Sequence, residues 1–120
     1  MRSNEGKDAL FHLPWSKEMD AAYLAGADPR DPYVSPLYGD LAGLGPILIQ
    51  VGDHELLLDD SRQLAAQAEA DGVDVQLEIF PEQQHTFQMM AGRAPEADEA
   101  ITHSATWART KVHPATTALR

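Results

Sequence analysis

At 120 residues the chain has room for one domain with a modest core. Its 43% hydrophobic and 23% charged residues exclude wholesale disorder, and a net charge of -10 with singly scattered Lys and Arg argues against a nucleic-acid or anionic-membrane partner. The lack of cysteine removes disulfides, thiolate nucleophiles and cysteine metal sites. No run of about 18 apolar residues offers a membrane span, and the charge-dotted start MRSNEGKDALFHL reads as that of a soluble, cytoplasmic protein.

In chain order, WSKEMDAAYLAG predicts a short helix with Ser16 as N-cap, Glu18 and Asp20 near its positive end, and Gly26 as its stop. ADPRDPYVSPLYGDLAGLGP follows, where Pro29, Pro32, Pro36 and Pro46, with four glycines from Gly26 to Gly45, favour a long ordered loop. Ile47 to Val51 is short, β-branched and nearly continuous, as in a parallel strand covered on both faces. DSRQLAAQAEADG predicts a helix N-capped by Asp59 or Asp60, with Leu64, Ala65 and Ala68 on its buried stripe and Gly72 at its C-terminus. Val73 to Phe80 alternates with period two, the sign of a strand with one wetter face. Strand, helix and strand compose a right-handed crossover unit. Pro95 opens a last helix with Ile101, Ala105, Ala108 and Val112 as its expected stripe, Pro114 closes it, and ATTALR is expected to be loose. The organisation reads as 1–46, a helix and long loop, then 47–113, β-α-β-α. Two strands are too few for a stable parallel sheet, so this pattern implies a missing partner.

The ionisable residues gather where such a sheet presents its chemistry, outside the carboxyl ends of the strands. Glu55 follows the first strand and His85 the second, and parallel pairing brings both loops to one end. A serine hydroxyl needs a histidine to take its proton and a carboxylate to orient that imidazole. A solvated Glu55 and a surface His85 remain the bland alternative. Asp53, His54, Glu55 and His85 also invite a metal reading, but consecutive residues diverge and His12, His103 and His113 lack ligand spacing. Trp15, Tyr23 and Trp107 are read as packing residues, with a substrate-pocket border as the alternative for the first two, and Met89 and Met90 as apolar filler.

Three linked pieces extend these observations: YLAGADPRDPYVSPLYGDLAGLGP with its Ser-Pro and Asp-Leu pair ahead of an entry to the strand that is similar to Gly-Leu-Pro, ILIQVGDHELLLDDS with its aspartate pair, and GVDVQLEIFPEQQHTFQ with His-x-Phe. From about Tyr23 to Trp107 the sequence resembles the C-terminal part of the hormone-sensitive-lipase-like family of α/β-hydrolases, mostly bacterial carboxylesterases. The resemblance implies a partial α/β-hydrolase fold, C-terminal parallel strands with flanking helices. It implies His85 as the catalytic histidine and Glu55, ahead of Asp53, as the acid, because His54 stands where many relatives carry aspartate. Asp59 and Asp60 are expected to be caps. No cofactor is called for. No Gly-x-Ser-x-Gly frames Ser3, Ser16, Ser35, Ser61 or Ser104, and no His-Gly-Gly segment offers an oxyanion hole. The expectation is a carboxylic ester hydrolase segment lacking its serine and nearly inactive alone. The alternative is a noncatalytic truncated or complementing fragment that acts by self-association or with a missing N-terminal half.

Overall fold

The computed structural model describes residues 3–112 and divides into two compact units, Met1–His85 and Thr86–Arg120, taken here in turn. The expected stop at Pro114 and the tail after it lie outside the described residues.

In the first unit, helix α1 covers Leu13–Leu24. Its N-cap is His12, whose ring accepts a hydrogen bond from the Trp15 N–H, and Ser16 lies inside the helix. Pro14 explains the shift: its fixed φ and missing N–H suit the first turn, so the chain is already helical before Ser16. Ala25 and Gly26 turn left-handed and end it. No α1 residue is buried. The proline-rich stretch is a loop interrupted by a 3₁₀ turn at Pro36–Tyr38, and Asp28, Asp31 and Asp40 each accept the backbone N–H two residues on.

Strand β1, Ile47–Gly52, pairs in parallel with β2, Val75–Phe80, in the register Ile47 with Val75 through Gly52 with Phe80. Helix α2, Leu58–Ala70, joins them. One cluster of the core joins Leu41, Ala68 and Val73, with Ile47, Leu64 and Val75 against it, and Val51, Leu56, Leu58, Ala65 and Phe80 are buried as well. The Leu64, Ala65 and Ala68 stripe of α2 therefore faces inward, Leu64 half-buried.

Several local expectations shift. Asp59 and Asp60 stand in the first turn of α2, which begins at Leu58 after N-cap Leu57, instead of capping it. The turn Gly52 to Leu58 closes through Glu55 N–H to Gly52 O and Leu58 N–H to Glu55 O, so helical geometry arrives before the aspartates. They still place negative charge at the positive helix end. Val73 does not start β2: its N–H bonds Ala68 O and Gly72 N–H bonds Glu69 O, a Schellman closure with Gly72 at φ 77°. β1 is half-buried from Ile47 to Gln50, with only Val51 and Gly52 buried, because it has β2 as its single strand neighbour among the described residues. Tyr23 is 74% exposed, which removes its packing role.

In the second unit, a 3₁₀ turn at Phe87–Met90 buries Phe87 and leaves Met89 and Met90 exposed, not filling a core. Helix α3, Pro95–Val112, starts at the expected proline with Glu96 and Asp98 in its first turn. Its inward stripe is Ala97 and Ala100, continued by half-buried Ser104, Trp107 and Ala108, while Ile101, Ala105 and Val112 face solvent. Of the expected stripe only Ala108 lies on this face. Alanines mark it because a small residue lets a helix approach its neighbour closely, so residue size and not hydrophobicity sets the face.

Candidate active site

Parallel pairing of β1 and β2 sends both strand ends, and the loops that follow them, out on the same side. The acid loop runs from Gly52 and the histidine loop from Phe80 to His85. They meet directly over Gly52: a Cβ added there would stand 2.1 Å from the Gln83 carbonyl oxygen. Glycine is therefore required for close approach. The loops are further joined by Asp53 N–H to Phe80 O at 3.0 Å and His54 N–H to Gln83 O at 3.2 Å. The Asp53 carboxylate accepts the Glu82 N–H at 2.6 Å, fixing a residue held at φ 58°.

Glu55 is 5% exposed, yet both of its carboxylate oxygens are used. Oε1 accepts the Gly52 N–H at 2.8 Å, and Oε2 lies 2.9 Å from His85 Nδ1. An ionised carboxylate only accepts, so a hydrogen bond between the two requires the proton on Nδ1. The His85 side chain is 29% exposed, so its ring remains reachable. The Phe11 ring meets it edge-on, centroids 5.0 Å apart, and stacks in turn on Trp15 at 5.3 Å. A cleft of about 230 Å³ lined by Phe11, Ser16, Met19, Asp20, Leu56 and Leu57 opens beside this ring.

The structure thus brings Glu55 and His85 together and directs Asp53 elsewhere. Asp53 ties the histidine loop, and its Oδ1 lies 3.7 Å from His54 Nε2. Asp59 is also drawn away: it accepts from the Ser3 N–H at 2.6 Å and the Ser3 hydroxyl at 2.8 Å. These two bonds hold its carboxyl below the ordinary 3.8, with Arg62 adding a smaller pull. Among the described residues no group of three or more His, Asp or Glu is arranged to hold a metal ion.

Sequence reasoning missed the N-terminal segment. Asn4, 4% exposed, donates from Nδ2 to the carbonyls of Asp53 and Glu55. Asp8 accepts the Leu56 N–H at 2.7 Å through Oδ2, and the Leu10 and Phe11 N–H groups through Oδ1. Burial raises the Asp8 pKa, but the three N–H bonds and the facing His85 outweigh it and leave the carboxyl below 3.8. Gln84 of the histidine loop accepts the Ala9 N–H and donates to Lys7 O.

Known proteins share this arrangement of strands and loops. The chain is 44% identical over 108 residues to an acetyl-hydrolase of Streptomyces hygroscopicus and 38% identical over 109 to an esterase of Acinetobacter venetianus. Each match takes in 90% of this chain and 36% of the relative, so the chain spans about a third of their length. An esterase from the bacterial hormone-sensitive lipase family superposes with a TM-score of 0.83 at 40% identity, over 88% of this chain and 35% of that one. The homologue EstE7 from a metagenome library does so with 0.84 at 40%, over 88% and 37%. No helix among the described residues is long and apolar enough to cross a membrane. The family of the alpha/beta hydrolase fold matches residues 1–89, three quarters of the chain, and with its two parallel strands and acid and histidine loops the chain belongs to that family as a partial form of the fold.

Proposed function

We infer that the chain supplies the acid and the base of a Ser-Glu-His triad to a carboxylic ester hydrolase. The observation that carries this reading is the buried Glu55 carboxylate, fixed by the Gly52 N–H on one oxygen and 2.9 Å from His85 Nδ1 on the other. In the complete site, His85 Nε2 takes the proton of a serine hydroxyl as that oxygen attacks the ester carbonyl, then gives it to the departing alcohol. The same nitrogen next takes a proton from water as its oxygen attacks the acyl-enzyme, and returns that proton to the serine oxygen as the acyl–oxygen bond breaks and the acid departs. Glu55 holds the tautomer and stabilises the imidazolium.

The 120 residues contain no Gly-x-Ser-x-Gly, and the match takes in only 36% of the Streptomyces hygroscopicus relative, which supports a serine and oxyanion donors contributed by the remainder of the fold. The substrate is a small-molecule ester, no cofactor takes part, and a cytoplasmic setting belongs to the same proposal, open to test by fractionation. The half-exposed face of β1 favours association as a second role: the segment docks with the missing N-terminal half or with another copy. Size measurement in solution tests this, and a cooperatively folding monomer opposes it.

The functional test has two arms. The isolated chain is expected to hydrolyse p-nitrophenyl acetate at background, with no change on His85→Ala. Substituted for the matching third of the Streptomyces hygroscopicus acetyl-hydrolase, the chain is expected to restore turnover. There, Glu55→Gln lowers kcat by about 10⁴-fold and His85→Ala by more, on the scale known for triad members. A chimaera indifferent to both substitutions overturns the assignment.

A further inference from the structure

The turn that carries Glu55 is fastened from two directions. Four of its successive N–H groups are engaged: Asp53 to Phe80 O, His54 to Gln83 O, Glu55 to Gly52 O, and Leu56 to the Asp8 carboxylate. The first two bonds come from the histidine loop and the third from within the turn. The fourth comes from the N-terminal segment, which also supplies what the carbonyls need, since the Asn4 amide bonds the Asp53 and Glu55 carbonyls on either side of His54. A buried amide that spends its donors on two carbonyls of one turn fixes the turn's rotation as well as its position. The same segment reaches the histidine loop through Gln84, and Asp8 Oδ1 fixes the backbone at Leu10 and Phe11, whose ring abuts the imidazole. Residues 3–11 therefore bind both partners of the pair.

The geometry points to Asn4 and Asp8 as positioning residues, which act through the acid turn and the Phe11 backbone to align Glu55 with His85. This inference rests on the triad reading given above. It asks more of the segment than stability, because a carboxylate and an imidazole must be held within about half an ångström to keep one tautomer populated. Neither residue meets the substrate. Both work by removing freedom from groups that do.

The test is proton NMR of the full 120-residue chain, labelled with nitrogen-15, in which a ring N–H bonded to a carboxylate gives a slowly exchanging downfield line. Four samples are compared: the unaltered chain, Glu55→Gln, Asn4→Ala and Asp8→Asn. The unaltered chain is expected to show the His85 Nδ1–H line and Glu55→Gln to lose it. Asn4→Ala and Asp8→Asn are expected to lose or broaden it while the β1 and β2 amide resonances stay in place. Absence of the line in the unaltered chain, or its survival in Glu55→Gln, defeats the pairing itself. A line that depends on Glu55 but persists in Asn4→Ala and Asp8→Asn overturns only the positioning role. Loss of the sheet amides together with the line in both variants assigns Asn4 and Asp8 to stability alone, and likewise overturns it.

Discussion

Gly52→Ala isolates the role of close approach between the two loops. The added methyl carbon would stand 2.1 Å from the Gln83 carbonyl oxygen and 2.5 Å from its carbon, both backbone atoms that no rotamer change can move. Ordinary contact begins at 3.4 Å, so strand end and loop must separate by about 1.3 Å. Overpacking of this kind costs about 1–3 kcal/mol, and for a domain of this size each kcal/mol lowers Tm by about 4–8 °C. The displacement also moves His85 relative to Glu55, and a shift of about 1 Å in such a constellation costs about 10²-fold in rate. Calorimetry of the chain and kcat of the chimaera read the two effects separately. Gly45→Ala is the control: nothing lies within 4 Å of its added carbon and its φ is not positive, so it is expected to leave Tm unchanged or slightly raised. If Gly52→Ala matches Gly45→Ala in both assays, the loops do not need the contact and the reasoning fails.

Leu56, 1% exposed and next to the acid, is expected to cost about 2–5 kcal/mol on truncation to alanine, measured by urea denaturation. Asp53→Asn, which keeps an oxygen for the Glu82 N–H, is expected to lower chimaera kcat at most about tenfold, whereas Glu55→Gln costs about 10⁴-fold; reversed effects would make Asp53 the acid. Asp8 and Asp59 have folded pKa values below 3.8, so the unfolded chain binds protons first as pH falls. Their stabilisation is complete above about pH 5 and is lost as pH drops through 3.8 toward the lower folded values. Denaturation midpoints between pH 5 and 2 are expected to fall less steeply in Asp59→Asn than in the unaltered chain.

What could be read from the residues was what local pattern encodes. The period-two run read from Val73 to Phe80, of which Val75 to Phe80 is strand, the Gly72 stop and the opening of α3 at Pro95 each leave a mark within a few residues. That Glu55 and His85 meet was legible because parallel pairing brings two strand ends together. Asn4 and Asp8 were not, since their bonds reach across 48 to 51 residues and a polar N-terminal stretch shows no periodicity that reports such partners. The N-cap of α1 went to His12 because a proline two residues on outranked a serine with better cap propensity. The α3 stripe was misplaced because Ile101 and Val112 weigh more in a hydrophobic pattern than Ala97 and Ala100, although the alanines are the residues that fit inside.

Glu55 and His85 sit 30 residues apart, and Asn4, Asp8 and Gly52, which meet their loops, all lie within the first 85 positions. The hydrogen-bonded pair and the residues that fasten it therefore form one contiguous stretch of sequence. An exchange of sequence with its junctions outside residues 3–85 would carry the pair and the bonds that fasten it together, whereas a junction between Asp8 and Gly52 would part them.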